Sequence, residues 1–405
     1  MAKRNLVVIG AGAAGLMAAV TAAENGASVT VLEQNDRPGR KIAATGNGKC
    51  NFTNIEIPAD AYRGTHPEFV RDALEQFSVS QTIQFFEELG IFPVNRKGCL
   101  YPRSGQAQSI TDVLCMKARA LGVKIKTNEK VTSLSREQKN GYNIWKVHTE
   151  GWCYEGDCVI LANGSKASSI SGSDGSGYTL AESLGHKIIA PLPALVPLKC
   201  KGKKFSSWAG TRTEGKISVF SEGKLLKEEQ GELQLTEYGV SGIPVFQVSR
   251  YAAKALSEGK KVQAFLDFLP DFTEEEVKEL LKTRKEQCPY KNKKELFTGL
   301  FPEKLVKVLF LQEDLISSIK KFPLTITGTM PFSQAQVCAG GVNTAEVNSH
   351  TLESLFCPGI FFAGELLDID GACGGYNLQW AWASGAVSGT YAAKSCEPEK
   401  GGTDL

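Results

Sequence analysis

Three clusters in this 405-residue chain have residue types and spacing suited to nucleotide-dependent redox chemistry. The first is Gly10-Ala11-Gly12-Ala13-Ala14-Gly15. Glycines at this spacing permit a tight turn, close approach of bare backbone to a pyrophosphate, and close packing of a helix on a strand. Glu33, with Gln34 beside it, falls where an acidic side chain accepts both ribose hydroxyls of an adenosine. That acid disfavours a 2′-phosphate and so disfavours NADP in this pocket. These residues alone leave NAD and FAD equally open.

The second cluster is Gly39-Arg40-Lys41 followed by Gly46-Asn47-Gly48-Lys49-Cys50-Asn51. Its cations and glycine backbone suit phosphates and a polar ring system. Cys50 beside Lys49 has the setting of a low-pKa thiol, with a packed, inert cysteine as the competing reading.

The third cluster runs from Phe361-Phe362-Ala363-Gly364-Glu365 through Asp368 and Asp370 to Gly374-Gly375-Tyr376-Asn377-Leu378-Gln379. It reads as strand, acidic turn, double glycine and helix start. A helix N-terminus aimed at a flavin's pyrimidine edge stabilises the negative charge that gathers there on reduction, and Glu365 is placed to hold a ribityl hydroxyl. NAD needs no second clamp of this kind, so the pairing of the first and third clusters points to FAD. Asp368 belongs with this cofactor-facing set, and Ala162-Asn163-Gly164 reads as a further crossing at the end of a buried strand. Cys50, Asn51 and Tyr376 are the candidate catalytic side chains, Tyr376 as a proton relay or donor. The four histidines, His66, His148, His186 and His350, form neither a triad pattern nor a metal-ligand spacing. Gly172-Ser173-Asp174-Gly175 is only a broken nucleophile elbow.

The elements that must position these residues follow from the apolar pattern. Residues 5–9 are a continuous apolar run ending in glycine, as in a strand buried on both faces of a parallel sheet. Residues 16–25 read as an alanine-rich helix closed by Gly26, and 28–32 as the next strand, giving a βαβ unit. Residues 39–54 look too irregular for a strand or ordinary helix. Helix is expected over 67–91 and 110–121, and strands over 123–125, 130–134, 144–149 and 159–162. Beyond Gly185 the texture changes: Pro191, Pro193 and Pro197 precede alternating runs at 216–221, 225–229 and 232–235, as in a small antiparallel unit. Thr273 and Glu276 are spaced as a capping box opening a helix, and near Thr325 the texture of the first half returns. The expected domains are therefore 1–188 and 326–405, interrupted by a β-rich part at 189–270 and a helical part at 271–325. Residues 397–405 read as a frayed tail.

With 42% hydrophobic and 22% charged residues the chain can bury a large core. Forty-six basic against forty-four acidic residues leave a formal charge of +2, which recruits neither nucleic acid nor an acidic membrane, so the expected partner is a small molecule. The start leaves no room for a signal sequence, and no apolar run of about eighteen residues follows. Eleven scattered cysteines without a Cys-x-x-Cys pair suit reduced thiols, and a cytoplasmic location is expected.

Taken together, Val8-Ile9-Gly10-Ala11-Gly12-Ala13-Ala14-Gly15, the 46–51 loop, Tyr238-Gly239-Val240-Ser241-Gly242, Ala339-Gly340-Gly341-Val342 and Gly374-Gly375-Tyr376-Asn377 resemble the BaiN and aminoacetone-oxidase-like flavoprotein family over nearly the whole chain. The resemblance implies an α/β fold: a Rossmann-like FAD-binding domain of glutathione-reductase type, interrupted by an insert of β-barrel and helical pieces. It also implies that Glu33, Arg40, Lys41, the 46–51 loop, Val131, Gly364, Glu365 and Gly374 to Leu378 surround FAD. Some members are linked to reduction of the conjugated enone of oxidised bile-acid intermediates, and others resemble oxygen-using amine oxidases. The leading expectation is an FAD enone reductase drawing on NAD(P)H at a transient site, since only one dinucleotide fingerprint is visible. An amine oxidase and a flavin-stabilised binding protein are the alternatives.

Overall fold

The computed structural model describes residues 3–139, 142–202 and 204–395, which divide into two compact units, one of the described residues up to 191 and from 337 onward, the other of those from 192 to 336. The tail expected at 397–405 lies outside the described residues.

The first unit is built on a five-stranded parallel sheet. Its strands are β1 (Asn5–Ile9), β2 (Ser28–Glu33), β3 (Lys124–Thr127), β4 (Cys158–Leu161) and β5 (Ile360–Phe362), in the order β5-β4-β1-β2-β3. β1 pairs with β4 from Leu6 opposite Cys158 and with β2 from Asn5 opposite Ser28. The apolar runs of β1, β4 and β5 are buried because both faces of the sheet are covered. Helix α1 (Ala13–Glu24) packs on one face. Eight of the twelve residues of α1 are buried, since the C-terminal helix α2 (Tyr376–Lys394) lies against it. Most of α2 is buried as well, with Trp380 and Trp382 inside and its buried polar residues limited to Gln379, Ser384 and Ser388, as suits a helix enclosed by its own domain. Val131 opens an antiparallel strand, Val131–Lys139, of a separate three-stranded sheet.

Residues 39–54 are more regular than their composition suggests: a short helix Arg40–Ala44, a 3-10 turn Thr45–Gly48 and a strand Thr53–Asn54. The helix expected over 67–91 is two, Val70–Gln76 and Val79–Glu88, because Ser78 and Gln81 form a capping box that starts a new helix.

The second unit is a closed barrel. Its strands run in the order Leu198–Cys200, Gly239–Ser241, Lys224–Thr236, Thr211–Ser221, Val262–Asp267 and Phe322–Thr329. Ile217, Val219, Leu233, Leu235, Ala264, Leu266, Leu324 and Ile326 fill its core, and helix Ile243–Ser257 packs against it. The expected runs 225–229 and 232–235 are one strand. The boundary placed at 325/326 falls inside a barrel strand. Phe322–Thr329 pairs with both Val262–Asp267 and Leu198–Cys200, so the helices Glu274–Gln287, Glu303–Leu309 and Leu315–Lys320 are an excursion between two barrel strands.

The contact between α1 and α2 tolerates no side chain at two positions. A Cβ on Gly385 would stand 2.5 Å from the Ala14 carbonyl oxygen, and one on Gly389 would collide with the Ala18 carbonyl. Gly389→Ala is therefore expected to lower stability by about 1–3 kcal/mol through overpacking. Denaturant unfolding measures this, and an unchanged midpoint would count against the packing described.

Candidate functional site

At the end of β1 the chain turns at Gly10, whose φ of +100° and proximity to the Ala162 carbonyl, 2.5 Å from a built Cβ, admit only glycine. Gly12 is the N-cap of α1; it has no side-chain cap, and a Cβ there would meet nothing within 4 Å. A helix N-terminus left open above a glycine is an anion site in waiting. Glu33 is buried and fastens this turn: Oε2 accepts from the Ala11 N–H at 2.8 Å, and Oε1 from the Asn35 backbone and side-chain nitrogens at 2.9 and 2.5 Å. Three of the roughly four acceptor positions of a carboxylate are thus engaged, leaving one for a ribose. Gln34 Nε2 donates to the Gly172 carbonyl, and Arg40 Nη1 donates to Asn35 Oδ1 at 3.0 Å, so both shape the loops here.

Gly46, Asn47, Gly48 and Cys50 all take left-handed backbone conformations, φ between +54° and +80°, in a segment of five residues. Backbone of this kind forms concavities lined by N–H groups, the nest that suits anionic oxygens. Cys50 itself contradicts the low-pKa expectation. It is fully buried, and burial pushes its thiol up to about 12 against the opposing hydrogen bond from Thr45, while Lys49 is exposed and does not offset the desolvation. Next to it, Asn51 Oδ1 is buried without a partner, and the same holds for Oδ1 of Asn163, which follows β4. Orphaned buried acceptors of this kind call for donors from outside the chain. FAD carries such donors in its ribityl hydroxyls, its ring N3–H and its adenine amine, so the residues present fit it. Ala162 is buried against the Gly10 turn, and Gly164 has φ +73°.

The C-terminal cluster closes on the same unit. Gly374 and Gly375 have φ of +133° and +94°, and Gly375 caps α2 with no side-chain cap, repeating the open helix end of α1. A Cβ on Gly375 would stand 2.9 Å from Asn51 Oδ1, which brings the second and third clusters together. Neighbouring side chains hold the turn. Asn377 bonds Gly371 with both ends of its amide, at 2.8 and 2.9 Å, and Asn54 Nδ2 donates to the Gly374 carbonyl at 3.0 Å. Asp368 accepts from the Thr65 N–H at 2.9 Å. Asp368 and Asn377 thus use their side chains on backbone, and Leu378 packs on the core. Tyr376 is buried; the Tyr62 hydroxyl donates to its carbonyl at 3.0 Å, and desolvation raises its own hydroxyl pKa. Gly364 has φ +71°; its N–H donates to Ser384 Oγ at 2.9 Å, and its carbonyl accepts from the Trp380 indole at 3.0 Å. Lys41, expected at a phosphate, lies 2.5 Å from Glu365 Oε2 instead. Ser165 and Cys338, which no motif singled out, donate to Glu365 Oε1.

The HI0933-like protein Rossmann domain model matches residues 4–391. A 3-dehydro-bile acid delta(4,6)-reductase from Clostridium scindens is 45% identical over 406 residues, covering 96% of this chain and 98% of that protein. A ribosomal RNA dihydrouridine synthase from Haemophilus influenzae is 31% identical over 397 residues, covering 93% and 96%. The structure of 3-ketosteroid-delta4-(5alpha)-dehydrogenase from Rhodococcus jostii RHA1 in complex with 4-androstene-3,17-dione has the same fold, with a TM-score of 0.51 at 15% identity and 97% of each chain covered.

A thiol raised to about 12 is protonated across the neutral and mildly alkaline range. Iodoacetamide at pH 8 should alkylate exposed Cys153 in the folded protein and spare Cys50 until denaturant is added. Peptide mass spectrometry reads this out, and labelling of Cys50 as fast as Cys153 would contradict its burial.

Proposed function

Because the chain belongs to the HI0933-like family and is an oxidoreductase, we propose that it binds FAD and saturates a carbon–carbon double bond conjugated to a carbonyl, with NAD(P)H as the source of hydride. The 45% identity to a 3-dehydro-bile acid delta(4,6)-reductase across essentially the whole chain carries this reading. The second curated relative supports the reaction class, since making dihydrouridine also saturates a double bond conjugated to a carbonyl. The favoured substrate class is a 3-oxo steroid-like dienone. Nucleic acid is no longer set aside as a partner, because a uracil base offers the same type of bond. Among the described residues no helix is long and apolar enough to cross a membrane. A cytoplasmic location belongs to the same reading and is supported by the described cysteines being thiols and not disulfides.

In this reading the described residues up to 191 and from 337 onward form a flavin domain of glutathione-reductase type. The α1 N-terminus at Gly12 and the nest at 46–50 hold the pyrophosphate, Glu33 holds the adenosine ribose, and Val131, Ala162 and Asn163 border the adenosine half. The α2 N-terminus at Gly375 and Tyr376 places positive potential beside the ring. Bound FAD supplies a two-electron carrier able to accept hydride from a nicotinamide and deliver it to an electron-poor carbon. Asn51 orients the ring edge through its orphaned Oδ1. Tyr376 donates the proton that completes saturation at the carbon next to the carbonyl. Its hydroxyl, raised above the ordinary value of 10.0 by burial, is protonated throughout the neutral range, so its donor role is lost only as pH climbs past 10.

Under anaerobic conditions NADH or NADPH should bleach the bound flavin, and a 3-oxo-4,6-dienone steroid should restore its colour. Bleaching by an amine instead would favour the oxidase reading, and bleaching by neither a binding protein. Tyr376→Phe should keep its flavin and lose about a hundredfold in turnover. Full turnover in that variant would remove Tyr376 from the mechanism.

A further inference from the structure

Glu365 lies in the 3-10 turn Gly364–Leu366, just past β5, and three other segments converge on its carboxylate. Lys41 Nζ, from the helix Arg40–Ala44, is 2.5 Å from Oε2. The Ser165 hydroxyl, from the loop after β4, donates to Oε1 at 2.7 Å. The backbone N–H of Cys338, at the start of strand Val337–Val342, donates to the same oxygen at 3.0 Å. The two charged side chains are 27% and 17% exposed, so this is a largely desolvated, charge-assisted contact and not a surface pair. A carboxylate gripped at both oxygens has a single orientation, and its one remaining acceptor position is on Oε2, beside the ammonium.

We propose that Lys41 is a positioning residue that acts on the cofactor through Glu365: it does not bind a phosphate itself, but holds the Glu365 carboxylate ready to accept a hydrogen bond from a ribityl hydroxyl. This rests on the FAD reading above. One of the three ammonium donors of Lys41 is committed to Glu365, and the paired carboxylate offsets the charge that a phosphate would meet, so Lys41 is a weaker phosphate ligand than an unpaired lysine, while pulling it away from Glu365 would leave a part-buried carboxylate without its counter-charge. The same carboxylate ties together four chain crossings, after β2, after β4, at strand Val337–Val342 and after β5. The site is thereby assembled before any ligand arrives, so ordering need not accompany binding.

A double-mutant cycle on the apoprotein tests this, with Lys41→Met, Glu365→Gln, the double variant and Lys41→Arg. Two quantities are read: the FAD dissociation constant, from quenching of flavin fluorescence, and the melting temperature without cofactor. Each single variant should bind FAD about ten- to a hundredfold more weakly, the scale of one hydrogen bond to a charged group. The double should be no more than about twofold worse than Glu365→Gln, and Lys41→Arg should retain most affinity. Without cofactor, both single variants should melt lower and the double no lower still, because the pair forms without a ligand. If the two affinity losses multiply and Lys41→Met leaves apoprotein melting unchanged, Lys41 contacts the cofactor directly and the inference falls. A wild-type protein that binds no FAD overturns the underlying reading and this inference with it. Normal FAD binding with multiplying losses overturns only this inference.

Discussion

Helices α1 and α2 meet backbone to backbone, with Gly385 against Ala14 and Gly389 against Ala18. The position of everything C-terminal in the site depends on that approach. α2 begins more than three hundred residues after α1, so no local preference places its start; the small-residue contact and the indoles on its other sides do. Trp380 donates to the Gly364 carbonyl at 3.0 Å and Trp382 to the Phe52 carbonyl at 2.8 Å, which fixes the rotation of α2 as well as its distance. Gly364 approaches Ala14 so closely that a Cβ on it would lie 2.8 Å from the alanine methyl. The alanine-rich composition of α1 is what permits so many close approaches at one helix.

Given that frame, charge and backbone have different tasks. The ionised side chains nearest the site are already engaged: Glu33 with the glycine turn, and Lys41 with Glu365. What the protein leaves open is neutral or dipolar: two helix ends capped by glycine, a run of left-handed backbone, and the orphaned oxygens of Asn51 and Asn163. A site of this composition binds a polyanionic, hydroxyl-rich ligand through backbone and amide groups whose geometry is rigid, while its charged side chains maintain the geometry.

The parts of this that were legible in the sequence are those coded locally. β1 and β2 are apolar runs ending in Gly10 and Glu33, and the helix start at Gly374-Gly375 is marked by the glycines that its positive φ values require. Long-range facts were not legible. Phe322–Thr329 alternates apolar and polar residues, yet only closure against Leu198–Cys200 makes it a barrel strand. The partner of Lys41 lies 324 residues away, so its cationic type suggested a phosphate. For Cys50 the sequence leaves an activated thiol beside Lys49 and a packed, inert one both open, because reactivity depends on burial, which the fold decides. The break at Ser78 was readable, since the Ser78 and Gln81 spacing is a capping signal, but the apolar anchors on either side masked it.

The central claim is that two open helix ends, distant in sequence, clamp one FAD. Backbone hydrogen–deuterium exchange with and without FAD tests it most directly, because the amides concerned are the ones each helix leaves without an internal acceptor. The predicted result is slowed exchange on adding FAD at both the first turn of α1, after Gly12, and the first turn of α2, after Gly375. Protection confined to α1 and its flanking loops, with the start of α2 exchanging as in the apoprotein, would contradict it.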